Sequence, residues 1–151
     1  MQWYNKCRDD LSVLPDMVDY YNRELAQAAL ETRISGSLEK NAQDLPGIVE
    51  HRFNQLQEIE SVLKFLNVKY DKMRSDHYRR YLERYNRELA DRSIEKYIDG
   101  EQDIVDMSNL INEVALVRNK YLGIMKALDA KGFSLGNITR LRIAGMNDSY
   151  L

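Results

Sequence analysis

Hydrophobic residues recur at alternating steps of three and four along two long stretches of this chain. Such a/d spacing is typical of helices that pack side by side in coiled coils and bundles. Each row of hydrophobic residues, here called a seam, needs a facing helix, which the other seam or a second subunit can supply. The first seam comprises Leu56, Ile59, Leu63, Leu66, Tyr70 and Met73, and the second comprises Met107, Leu110, Val114, Val117, Tyr121, Ile124 and Leu128.

The two seams predict an all-α protein in which long amphipathic helices form a helical bundle or coiled coil. The unbroken spacing of the second seam further predicts a homo-oligomer held partly by Met107–Leu128. We expect one helical domain over residues 1–151, since this length suits a single core.

Gly, Pro and polar clusters predict where the helices begin and end. Pro15 and Asp16 favour a first turn, so an N-terminal helix is expected over about residues 15–35. Residues 36–47 include Gly36, Asp44 and Pro46 and predict a polar linker, followed by a helical core over residues 48–131. Gly132 predicts an end to the second seam, and Asn137 can cap a short C-terminal helix over residues 137–144.

The first seam changes phase within Lys72–Tyr78. Its next positions would be His77 and Arg80, which are not hydrophobic, and a new apolar stripe appears at Tyr78, Leu82, Tyr85 and Leu89. This change indicates a stutter, a bend or a true break between two helices.

Composition supports helices and restricts the class of protein. Only seven Gly and two Pro occur in 151 residues, and charged residues make up 30% of the chain. The single cysteine, Cys7, cannot form an internal disulfide, which fits a reducing compartment. No apolar run approaches the ~20 residues of a membrane span, and residues 1–10 lack a signal-peptide core. We therefore expect a cytoplasmic protein without membrane contact.

Positive charge is concentrated between Lys64 and Arg87. This segment contains eight Lys and Arg but only three Asp and Glu, although the whole chain has a net charge of −2. Cations can follow the phosphates of single-stranded nucleic acid while aromatic rings stack on its bases. In a continuous helix, six of these cations fall within an arc of ~140°: Lys69, Lys72, Arg79, Arg80, Arg84 and Arg87. A solvated helix face remains the alternative for such a charge run.

The aromatic residues of this region divide into two groups. Tyr78, Tyr81 and Tyr85 share the apolar stripe, which favours packing over base stacking. Base stacking would then involve Tyr70 or His77.

No pattern in the sequence indicates catalysis. A nucleophile–base motif, a phosphate-binding Gly loop and a metal signature are all missing. His51 and His77 are far apart in sequence and lack other ligands, so no zinc site and no cofactor are expected.

One segment resembles a known family. Residues 72–78, Lys-Met-Arg-Ser-Asp-His-Tyr, are similar to a motif of the bacteriophage recombination mediator family typified by UvsY, in which a basic-x-basic pair precedes an Asp-aromatic-Tyr turn. The C-terminal half is also similar, from Ser93 to Asp103, along the seam Leu110–Leu128, and through Gly132-Phe133-Ser134-Leu135 to Ile138 and Arg142.

The resemblance implies a small helical protein that forms a ring-like homo-oligomer, takes part in DNA recombination and repair, and binds single-stranded DNA. It would help to load a RecA-type recombinase onto strands covered by a single-strand-binding protein, and the family's DNA-contacting basic pair would correspond to Lys72 and Arg74. With the charge pattern, this gives seven candidate DNA-binding residues: Lys69, Lys72, Arg74, His77, Arg79, Arg80 and Arg84.

Two other functions are compatible with the same residues. A helical adaptor without nucleic-acid binding could present the basic face to an acidic protein. A small phage-encoded inhibitor of a host protein could be equally helical and poor in motifs. Salt-sensitive binding to single-stranded DNA separates the first function from both alternatives.

Overall fold

The computed structural model describes residues 2–84 and 90–146, and every regular element within them is helical. The prediction of an all-α fold is therefore confirmed. In chain order the helices are α1 (Gln2–Asp9), α2 (Leu14–Glu31), α3 (Leu38–Arg84), α4 (Asp91–Asp99) and α5 (Gln102–Ile143), with a 3-10 turn at Leu11–Val13 between α1 and α2. None of the described helices is long and apolar enough to cross a membrane.

The core lies where α3 and α5 pack along each other, with α2 and α1 against them. The first seam supplies four buried residues to this core, Leu56, Ile59, Leu63 and Leu66. The second seam faces it with Met107, Val114, Val117 and Tyr121; Leu128 is also buried, and Leu110 and Ile124 are half-buried.

The two seams are thus each other's partners within one chain. Because the buried side chains of Met107–Leu128 are already covered, the predicted oligomer cannot use them as its interface. A homo-oligomer stays a prediction, and it would have to use another surface.

Residues 38–47 do not form the predicted linker, because they are the first turns of α3. Ser37 Oγ accepts a hydrogen bond from the backbone N–H of Lys40 at 3.2 Å, which caps the helix start. Leu45 packs on α5, where a Cβ added to Gly132 would lie 3.4 Å from its Cδ2. This packing keeps the segment helical although Pro46 removes one helical hydrogen bond.

One further predicted boundary is wrong, and one of the three alternatives for the change of phase is excluded. Helix α5 continues through Gly132 and Gly136 to Ile143, so residues 137–144 are not a separate short helix. Helix α3 continues through Lys72–Tyr78, which excludes a true break there. Interior glycine costs only about 1 kcal/mol relative to alanine, which a long helix packed along its length can tolerate.

The first seam in fact continues at His77, which occupies the next heptad position and is only 6% exposed. A second hydrophobic cluster begins at this level of the bundle. It contains Ile94 and Ile98 of α4 and Ile104 of α5, with Tyr70, Met73, Tyr78 and Tyr81 of α3 packed against it.

Buried charges fix how α2, α3 and α5 lie together. The guanidinium of Arg52, 2% exposed, donates to both carboxylate oxygens of Glu31 at 2.8 and 2.7 Å and to Glu24 at 2.8 Å. Lys131 Nζ donates to the backbone carbonyl of Glu31 at 2.8 Å, at the end of α2. These bonds hold the C-terminal half of α2 against both long helices.

Candidate nucleic-acid interface

The second half of α3 presents a row of exposed cations, here called the outer basic face. Because α3 is continuous to Arg84, the helical spacing places these residues within an arc of ~140°. Two exposed carboxylates, Asp76 and Glu83, share this side of the helix. The face consists of Lys69, Lys72, Arg79, Arg80 and Arg84, all exposed.

Most of these cations are available to a ligand. Within residues 2–84 and 90–146, no hydrogen bond or ion pair restrains Lys69, Arg79 or Arg84. Lys72 Nζ lies 3.1 Å from Asp76 Oδ2, but both side chains are about half exposed or more. Such a surface pair contributes at most a few tenths of a kcal/mol, so phosphate can displace it.

Arg74 does not belong to this face. Residues two apart on a helix project about 200° from each other, so Lys72 and Arg74 point to different sides of α3. Arg74 Nη1 donates to Asp99 Oδ1 of α4 at 2.7 Å, and its guanidinium lies 5.7 Å from the centroid of the Tyr70 ring. The bond to Asp99 raises the pKa of Arg74 above its ordinary value. Lys72 and Arg74 therefore lie on different sides of α3, and their contact with DNA stays a prediction.

His77 is likewise withdrawn from the surface. Its Nε2 lies 2.8 Å from Asp103 Oδ1, and Arg80 Nη2 lies 2.7 Å from its Nδ1. Since a guanidinium can only donate, Nδ1 is the acceptor in the contact with Arg80, and Nε2 faces the Asp103 carboxylate. The hydrogen bond from His77 lowers the pKa of Asp103. His77 thus orients Arg80 and cannot stack on a base, contrary to the prediction.

The tyrosines mostly pack, as predicted for Tyr78 and Tyr81. Both are half-buried, and their hydroxyls donate to Asp91 Oδ1 at 2.7 Å and to Glu101 Oε1 at 2.6 Å. Tyr70 is half-buried beneath Arg74. Tyr85 and Arg87 lie outside the described residues.

Tyr97 of α4 was not singled out by the sequence. Its ring stacks on the ring of Tyr81, with centroids 5.8 Å apart and an interplanar angle of 20°, and 54% of the residue is exposed. The only sequence signal for this contact is its position beside Ile94 and Ile98 on the buried side of α4.

A shallow groove of about 220 Å³ lies where the outer basic face meets the start of α5. It is lined by residues of both signs and one ring: His77, Arg80, Tyr81, Arg84 and Glu101.

Three potential metal ligands, from His77, Glu101 and Asp103, lie within 4.8 Å of one another, a grouping that the sequence did not indicate. Each already has a hydrogen-bond donor: Arg80 on the imidazole, Tyr81 on Glu101, and the backbone N–H of Ile104 on Asp103 at 2.9 Å. The Arg80 guanidinium, 2.7 Å from His77 Nδ1, would repel a cation bound there. The arrangement therefore fits a hydrogen-bonded network better than a metal centre.

Comparison with solved structures shows the fold that this chain adopts. The crystal structure of the bacteriophage T4 recombination mediator protein UvsY superimposes with a TM-score of 0.70 and 14% sequence identity. The match covers 85% of this chain and 98% of that chain. The helical arrangement described above is thus a UvsY-like fold. No protein-family model and no curated protein sequence matches the chain.

Proposed function

We propose that this protein is a non-enzymatic recombination mediator. It would bind single-stranded DNA and help to load a RecA-type recombinase onto strands covered by a single-strand-binding protein. The observation that carries the proposal is the outer basic face, where five exposed cations project from one uninterrupted helix. The fold shared with UvsY, a recombination mediator, supports the same function.

The charge distribution suits a flexible polyanion. Cations at Lys69, Arg79 and Arg84 have no described partner, so they can neutralise phosphates without first breaking an ion pair. Phosphate contacts carry no sequence information, and binding should therefore lack base preference. Since the chain as a whole has a net charge of −2, binding has to be local to this face and sensitive to salt.

The test compares two double variants of equal charge change. Arg79→Ala/Arg84→Ala removes two cations of the outer basic face that have no partner among the described residues. Arg140→Ala/Arg142→Ala removes two exposed cations from the last turns of α5 and is the control. Fluorescence anisotropy with a labelled oligothymidylate, measured at several salt concentrations, gives the affinity and its salt dependence for each protein.

The wild-type protein should bind, and the log of its affinity should fall linearly with the log of salt concentration. Removing two phosphate contacts should flatten that slope by about 1.4 per engaged subunit, while the control should change it much less. Wild-type protein that fails to bind at low salt would refute the proposal and favour an adaptor or inhibitor. Equal losses in the two variants would show that the outer basic face is only a solvated surface.

We also propose that the protein is a homo-oligomer. Large hydrophobic residues lie exposed near the end of α5, with Phe133 at 78% and Ile143 at 82%. Large apolar side chains exposed to this extent along one segment of a helix favour a surface that another chain covers. Several copies of the outer basic face would then form one longer cationic track. Light scattering gives the mass in solution, and a monomer at micromolar concentration would refute this proposal.

A further inference from the structure

We propose that Tyr97 is the residue on which an unpaired base of single-stranded DNA stacks, next to phosphates bound by Arg80 and Arg84. This inference rests on the proposed function and specifies part of its site. It concerns the groove between α3 and the start of α5, which Tyr81 lines, and the ring of Tyr97 that stacks on Tyr81.

Exposure distinguishes Tyr97 from the other rings near this face. Tyr70, Tyr78 and Tyr81 are all half-buried, and His77 is buried. Among the described tyrosines of α3 from Tyr70 onward and of α4, Tyr97 is the one with more than half of its surface exposed. A base can stack only on a ring that has a face open to solvent.

The Tyr97 ring is also held in place before any ligand arrives. One of its faces stacks on Tyr81, whose hydroxyl is fixed by Glu101 at 2.6 Å. The neighbouring Ile94 and Ile98 are buried and anchor α4. Because the ring is already oriented, a base that stacks on its outer face would extend the Tyr81–Tyr97 stack at little cost in side-chain entropy.

The charges of the groove determine which part of the DNA strand lies next to the arginines and which part lies next to Tyr97. Arg80 and Arg84 line the groove beside Tyr81, and both are exposed on the outer basic face. Glu101 lines the same groove and disfavours a phosphate close to the rings. A neutral base meets no such repulsion, so the strand should turn its phosphates to the arginines and a base to Tyr97.

The alternative is that Tyr97 only completes the packing of α4 against α3. Two substitutions separate these roles. Tyr97→Leu keeps an apolar side chain and removes the ring, whereas Tyr97→Phe keeps the ring and removes the hydroxyl. Phe53→Leu removes another half-exposed aromatic ring, in the first half of α3, and is the matched control.

Each protein is titrated with two labelled strands of equal length, an oligothymidylate and an abasic strand with the same phosphates. Stacking of one base on an aromatic side chain changes affinity by about fivefold or more. Tyr97→Leu should therefore lose about fivefold or more for oligothymidylate and nothing for the abasic strand. Tyr97→Phe and Phe53→Leu should bind both strands as the wild type does.

A measurement on the wild-type protein removes any dependence on the folding of a variant. Ultraviolet crosslinking of a strand that carries 5-iodouracil should attach it to the peptide that contains Tyr97. Crosslinking only at other residues, or equal losses of Tyr97→Leu on both strands, would overturn the inference while the proposed function stands. Wild-type protein that binds neither strand would overturn both.

Discussion

Lys72 and Arg74 should contribute to different properties of the protein, although they are separated by a single residue. Lys72 is an exposed member of the outer basic face, whereas Arg74 bonds Asp99 of α4. We predict that Lys72→Ala weakens DNA binding with little effect on stability. Arg74→Ala should lower stability with little effect on the salt dependence of binding.

The expected size of each effect follows from these contacts. A lysine that neutralises one phosphate of a single strand contributes ~0.7 to the salt slope, which corresponds to about fivefold in affinity at 0.1 M salt. The Lys72–Asp76 pair is exposed at i,i+4 and contributes only about 0.3–0.5 kcal/mol to the free energy of unfolding.

Arg74 is more strongly held. Its side chain is 27% exposed, while that of Asp99 is 64% exposed, so solvent screens the pair and limits its contribution to at most about 1 kcal/mol. The contact of the guanidinium with the Tyr70 ring adds about 0.5 kcal/mol. Arg74→Ala should therefore lower the free energy of unfolding by about 1 kcal/mol.

Urea unfolding followed by circular dichroism measures the stability of both variants, and salt-dependent anisotropy with oligothymidylate measures binding. Asp99→Ala supplies the matched control, since it should lower stability much as Arg74→Ala does. If Arg74→Ala flattened the salt slope as much as Lys72→Ala, Arg74 would have to leave Asp99 and contact the strand. That result would refute the division of the basic residues into two sides of α3.

Three further predictions concern groups away from the outer basic face. Arg52→Leu leaves Glu24 and Glu31 without their cation, so urea unfolding should show a loss of about 3 kcal/mol; a loss below about 1 kcal/mol would contradict a structural role for this network. Burial raises the pKa of the Cys7 thiol from 9.0 to about 11. Because the unfolded chain releases this proton first, stability should fall as the pH rises from 9 to 11, and Cys7→Ala should show a shallower fall. The hydrogen bond from His77 lowers the pKa of Asp103 in the folded protein. The ionised Asp103 carboxylate therefore stabilises the fold above the ordinary Asp pKa, and this stabilisation is lost as the pH falls through the lower pKa of the folded state. The free energy of unfolding of Asp103→Asn should therefore fall less on acidification than that of the wild type. Identical acid unfolding curves for the two proteins would argue against the His77 bond.

The helical fold and its main packing could be predicted from the sequence because the hydrophobic spacing is regular over many turns. Leu56–Leu66 and Met107–Tyr121 repeat at steps that only a helix places on one side. Both sets are buried in the same core. What the spacing alone could not decide is whether a seam meets the same chain or another one, since the two interfaces require the same residues.

The boundaries were harder to predict, because local signals competed with packing. Pro46 and its polar neighbours are typical of a linker, and Gly132 is typical of a helix end. In the folded chain Leu45 packs against Gly132, so the two apparent breaks support each other across α3 and α5. A contact between residues so far apart in sequence cannot be predicted from the local sequence around either residue.

The candidate site shows the same limit for charged residues. Counting charges identified the region, but it could not show that α4 and the start of α5 supply the carboxylates that pair with part of it. Asp99 bonds Arg74, which is half-buried, and Asp103 bonds His77, which is buried. The cations that remain exposed follow one arc of a continuous helix, and their spacing alone predicts that arc once the helix is known to be unbroken.

The heptad position of His77 connects the core to the outer basic face. A hydrophobic residue at position 77 would continue the seam, but it could not accept a hydrogen bond from Arg80 and so could not orient that side chain. The buried imidazole accepts from Arg80 at 2.7 Å and donates to Asp103 at 2.8 Å, so it links a cation of α3 to the start of α5. The interruption of the hydrophobic pattern, which indicated a stutter, a bend or a break, is thus the place where a core residue bonds a surface cation. A leucine at this position should preserve the bundle and release Arg80 from its fixed orientation.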